Sequence, residues 1–162
     1  MSGATLVVGL GQGDRGDDGV GPAIARAVGA RLPAGSGVRV LEQEDPTALL
    51  DLWEGHDHVV VVDAVVTGGA TGTLHRFEIG VDAPALPTGV RDRGGTHAVG
   101  LATAVELARA LHRLPSRVVV VAVEAERFAV GAPLSAPVAA AVDEAAALVW
   151  REVALDVPGR AG

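Results

Sequence analysis

Residues 9–21, GLGQGDRGDDGVG, close the apolar run TLVVGL (5–10), and their reading decides the fold. Gly11, Gly13 and Gly16 satisfy G-x-G-x-x-G, the turn that brings a backbone close to a pyrophosphate at the start of a helix. Asp14, Asp17 and Asp18 stand among those glycines, where a dianionic ligand would have to approach. A carboxylate beside a pyrophosphate in a partly desolvated crevice costs kilocalories rather than tenths of one. The loop is therefore charged for a cation. An aspartate at a helix start also caps free N–H groups and complements the dipole, for about 0.5–2 kcal/mol. One aspartate satisfies that role, and two adjacent ones exceed it.

Working outward, HVVVVDAV (58–65) and RVVVVAV (117–123) repeat the β-branched character of the first run. Continuous valine without alternation suits strands buried on both faces, as in a parallel sheet covered by helices. GVRVLEQ (37–43) supplies a further strand. GTLHRFEI (72–79) alternates polar and apolar residues and suits an edge, where antiparallel pairing is expected. Between the strands, residues 18–32 place Val20, Ile24, Ala27, Val28 and Leu32 on one helical side. Residues 96–114 and 135–155 follow the same pattern, with Ser135 as the cap of the last helix, and 46–53 form a shorter helix. The expected fold is a three-layer α/β/α sandwich on a mostly parallel, twisted five-stranded sheet, in one domain spanning 1–162. Residues 84–95 (PALPTGVRDRGG) read as a mobile surface loop and 158–162 as a frayed tail.

Composition removes whole classes of chemistry. A formal charge of −7 disfavours nucleic acid and anionic membranes as partners. Arginine supplies all 13 basic residues, so without lysine there is no Walker-type phosphate clamp and no Schiff base. Without cysteine there is no thiolate nucleophile and no zinc knuckle. The amino-terminal residues lack a basic segment, and no uncharged apolar stretch is long enough to span a bilayer. A cytoplasmic, monomeric protein is the expectation.

In open α/β sheets ligands bind beyond the carboxyl ends of the strands, near the point where strand order reverses. Asp17, Asp18, Asp63, His97 and Glu124 all fall on that rim. An ionised carboxylate among valines is costly unless compensated, so Asp63 either faces a metal or accepts backbone N–H bonds at its strand end. His97 opens a helix, where positive charge is disfavoured and a neutral, coordinating imidazole is favoured. His56 and His58 precede the third strand, belong to the opposite edge of the sheet and read as solvated. His75 and His112 offer no partners. DRGDDG (14–19) begins like a calcium loop, but its twelfth position is Ala25 instead of a bidentate glutamate.

These blocks resemble the hydrogenase maturation proteases, which trim the large subunit of [NiFe]-hydrogenases. That family opens with a strand and a Gly-x-Gly-Asn loop running into Asp-Asp/Glu and a glycine, matched by residues 9–21. VVVDAVVTGGATGTLHRFE (60–78), THAVGLATAVELARAL (96–111) and VEAERFAVGAPLSAPVAAAV (123–142) match its later blocks in order. The resemblance implies an aspartyl-type endopeptidase with a metal and catalytic site on Asp18, Asp63 and His97. It further implies nickel that arrives with the substrate, and a [NiFe]-hydrogenase large-subunit precursor as partner. Imidazole and carboxylate suit a borderline ion such as Ni²⁺, and offering only three ligands leaves room for those of the precursor. The family asparagine is Gln12 here, which keeps the amide but lengthens the side chain. Two alternatives stand beside this reading. One is a nucleotide-binding Rossmann-like module with Glu42 or Glu44 on the ribose; the other is a non-catalytic maturation chaperone of the same fold.

Overall fold

The computed structural model describes residues 4–80 and 100–154. Each of the five expected runs forms a strand: β1 (Ala4–Leu10), β2 (Val38–Gln43), β3 (His56–Val65), β4 (Leu74–Ile79) and β5 (Arg117–Glu124). They make one five-stranded sheet in the order β2-β1-β3-β5-β4. All pairs are parallel except β4 with β5, which is antiparallel and places the alternating strand at the edge as its pattern predicts. Val59 to Val62 of β3 and Val118 to Val121 of β5 are fully buried. Burying each such side chain contributes about 1.5–3 kcal/mol, enough to carry one carboxylate per strand into the interior.

Two helical layers account for that burial. The face presenting Val7, Val60, Val62, Val119 and Val121 packs on α1 (Val20–Arg31) and α4 (Ala136–Val153). The opposite face presents Leu6, Val59, Val61, Val118 and Val120 to α2 (Leu49–Leu52) and α3 (Leu101–Ala110). Residues 46–53 divide into a 3-10 turn, Pro46–Ala48, and the single turn of α2. The helix expected over 96–114 is described from Leu101 to Ala110. The expected mobile loop at 84–95 and the tail at 158–162 lie outside the described residues.

The helix expected to start at Asp18 starts at Val20 instead, behind a 3-10 turn over Gly16–Gly19. Close packing of backbone on backbone explains the delay. Gly11 turns at φ +136, and a Cβ there would stand 1.9 Å from the Asp18 carbonyl oxygen. A Cβ on Gly21 would meet the Leu10 carbonyl oxygen at 2.1 Å and that of Val62 at 2.7 Å. The first turn of α1 thus rests directly on the ends of β1 and β3, with no side chain between. Gly21→Ala should accordingly lower the unfolding free energy by about 3 kcal/mol or more, because the displaced atoms are main chain. Urea denaturation of the two chains would measure it, and a loss under about 1 kcal/mol would contradict this packing.

Candidate active site

The order 2-1-3 means that the chain leaves β1 for one side of the sheet and returns on the other. The switch point therefore lies between the carboxyl ends of β1 and β3. Asp18 and Asp63 are both there. β1 and β3 pair as far as Gly9 with Val62, and Asp63 is the next residue on β3, still paired with Ala122 of β5. Asp18 sits in the 3-10 turn that follows β1. Both are almost completely buried, at 4% and 5% exposure. His97 lies outside the described residues.

The two neighbouring aspartates of the loop have different partners. Asp18 Oδ2 accepts the backbone N–H of Gln12 at 2.7 Å. A loop amide of the kind that would cradle a phosphate is thus occupied by a carboxylate of the chain itself. The family asparagine position also contributes through its main chain, which Gln12 supplies as well as any residue. Asp63 Oδ1 accepts the N–H of Ala64 at 2.8 Å, so the strand-end reading of this residue is met at one oxygen. Asp14 is exposed and gives its carbonyl to the Gly131 N–H at 2.6 Å.

Asp17 is fully buried and does not cap its own helix. It accepts the N–H groups of Glu126 and Arg127, each at 3.0 Å, and that of Ser135 at 2.7 Å. The Ser135 hydroxyl donates to it at 2.9 Å, so Ser135 begins α4 without capping it through its side chain. Burial pushes the Asp17 carboxyl up, but these donors outweigh burial and hold it below its ordinary value. The reverse main-chain bond, Asp17 N–H to the Arg127 carbonyl at 2.7 Å, completes a clamp between the first loop and the connection from β5 to α4.

Glu124, at the end of β5, is 1% exposed and fixes a different connection. Its carboxylate accepts the Thr67 N–H at 2.9 Å, the Thr67 hydroxyl, and a bond from His75 Nε2 at 3.1 Å. Burial raises this carboxyl, and the Thr67 and His75 bonds bring it below its ordinary value. His75, read from the sequence as partnerless, is therefore a partner of Glu124. The pairing depends on the antiparallel register of β4 on β5, which no local pattern reveals. His58, expected to be solvated, is 8% exposed because β3 begins two residues earlier and draws it under the neighbouring strands.

A cavity of about 300 Å³ opens beside the loop, lined by Gly11, Gly13, Pro22, Glu42, Gln43 and Glu44. It occupies the place a dinucleotide ribose would take, but two glutamates line it and Asp18 holds the loop amide. The geometry opposes an anionic ligand.

Comparison with known proteins identifies the family and the fold. The family model described as hydrogenase maturation protease matches residues 44–152. The chain belongs to that family. It is an enzyme, a hydrolase acting as a maturation endopeptidase, and the family implies a hydrogenase precursor as substrate. A search of curated proteins finds no match. Among solved structures, the chain resembles the hydrogenase maturating endopeptidase HybD from Escherichia coli, at 24% identity and TM-score 0.70, covering 94% of this chain and 93% of that one. A hydrogenase 2 maturation peptidase from a Thaumarchaeota archaeon matches at 26% identity and TM-score 0.66, covering 94% and 99%. An endopeptidase from Escherichia coli superimposes with TM-score 0.75 at 22% identity, covering 93% and 91%. Among the described residues no helix is long and apolar enough to cross a membrane.

The Asp17 clamp yields a stability prediction with a defined sign. Asn in its place turns a donor toward donors and should cost about 3 kcal/mol at neutral pH, roughly 10 °C in Tm. Because the folded pKa is depressed, Asp17 contributes fully above its unfolded value near ~3.9 and loses that contribution as pH falls through the folded value. The stability gap between wild type and Asp17→Asn should therefore narrow below about pH 4, as thermal melts across pH would record.

Proposed function

We propose that this chain is an endopeptidase that removes a short carboxyl-terminal peptide from the nickel-loaded precursor of a [NiFe]-hydrogenase large subunit. The nickel is substrate, already seated in the precursor, and Asp18, Asp63 and His97 are the groups that grip it. What carries the reading is the presence of two buried carboxylates, on separate elements, at the one switch point of the sheet. Carboxylate and imidazole suit nickel, and three ligands leave coordination positions for those the precursor brings. Holding the metal places the scissile peptide in register, and positioning of this kind supplies several kilocalories of a hydrolysis barrier.

Neither rival reading fits the loop as well. A nucleotide module would need free loop amides and a neutral or basic rim. A non-catalytic chaperone would not need carboxylates buried at this cost. Asp18→Asn and Asp63→Asn should each slow cleavage of nickel-loaded precursor by at least about 100-fold, a penalty typical of lost positioning. Circular dichroism should be unchanged. Wild-type chain should leave nickel-free precursor intact. Equal cleavage of loaded and unloaded precursor would remove nickel recognition from the mechanism.

A further inference from the structure

The register of three neighbouring strands places a second set of polar groups beside Asp63. Ala122 of β5 pairs with Asp63 of β3 on one side and with His75 of β4 on the other. Alternation puts all three on one face: Asp63 with Val59, Val61 and Val65, Ala122 with Val118 and Val120, and His75 with Phe77 and Ile79. Two strand spacings separate Asp63 from His75 by about 10 Å at the backbone. Only the methyl group of Ala122 stands in that row between them.

The imidazole is held from two sides. Its ring lies nearly parallel to Phe77, 8° between planes and 6.0 Å between centroids. Its Nε2 meets the Glu124 carboxylate, whose other contacts come from Thr67. Glu124 is held ionised by those donors and can only accept, so Nε2 must carry the proton of this bond. In the neutral ring Nδ1 is then the basic nitrogen. The His75 side chain is 25% exposed, whereas that of Glu124 is 2% exposed. A buried carboxylate behind a partly exposed imidazole is the arrangement that fixes tautomer and orientation for proton transfer.

We infer that His75, oriented by Glu124, is the proton-transfer residue of the peptide hydrolysis, working across the row from Asp63. This rests on the endopeptidase reading above. Water gives a proton to Nδ1 as its oxygen bonds to the carbonyl carbon. The imidazolium then returns that proton to the amine nitrogen as the C–N bond breaks. One water is consumed, and one carboxyl and one amino terminus are formed. Glu124 is the positioning residue and does not touch the substrate.

Full-length chain and nickel-loaded precursor provide the test. His75→Gln should lower kcat at least about 100-fold, the usual worth of general acid–base catalysis, with KM within about threefold of wild type. His75→Ala should lose as much and regain part of it when imidazole is added, which a structural defect would not do. Nitrogen-15 NMR of the chain alone should show the Nε2–H tautomer at His75, and Glu124→Gln should abolish that preference. Wild-type kcat in both His75 variants would overturn the inference, as would a loss confined to KM or an Nδ1–H tautomer in the wild-type chain. Asp63→Asn separates the two proposals: if it still cleaves only loaded precursor at full rate while His75→Gln fails, the metal grip is wrong and the proton-transfer role stands. If instead Asp63→Asn fails and the His75 variants do not, the reverse holds.

Discussion

The carboxylate of Asp17 joins two segments more than a hundred residues apart: the loop after β1, and the connection that carries the chain from β5 into α4. An isolated carboxylate in that position would cost several kilocalories. It is tolerated because backbone N–H groups of Glu126, Arg127 and Ser135 and the Ser135 hydroxyl fill its acceptor sites. The same donors, lacking water in the interior, would be orphaned without it. Each side thus satisfies the other, and the geometry of the next residue, Asp18, is inherited from that closure.

Glu124 repeats the device on the other side of the switch point. It fastens the Thr67 end of the β3–β4 connection and the His75 edge onto β5. Backbone bonds reinforce it, from the Gly72 N–H to the Glu124 carbonyl at 2.8 Å and from the Glu124 N–H to the Thr73 carbonyl at 2.9 Å. Both clamps use an ionised side chain whose pKa is held down by hydrogen bonds despite burial. Main-chain donors that converge on one point leave little freedom to the loops that carry them.

Much of this was legible in the sequence, for identifiable reasons. Buried parallel strands write themselves as unbroken valine, and the one polar interruption, Asp63, marks the end of the strand where ligands bind. The alternation of residues 74–79 announces an edge strand because only one of its faces is packed. What stayed hidden depends on tertiary closure. Asp17 and Asp18 are chemically identical neighbours, and no local pattern says which one meets the returning loop near Arg127. The 3-10 turn that delays α1 follows from how closely Gly11 and Gly21 let main chain approach main chain. The His75–Glu124 pair arises from an antiparallel register between strands forty-odd residues apart in sequence. A run of identical valines carries no mark of which residue faces which.

A G-x-G-x-x-G loop binds phosphate because its amides are free and its helix points a positive end at the ligand. Here Asp18 takes the Gln12 N–H, a 3-10 turn replaces the first turn of the helix, and Glu42 and Glu44 line the adjoining cavity. Each change reverses the sign of the charge the crevice favours while the backbone path is kept. Under the proposed function this reversal is what the fold requires. A site meant to read a cation held by another protein cannot close around it, so its acidic groups must be positioned before the partner arrives. Internal carboxylate clamps provide that rigidity without occupying the mouth of the sheet.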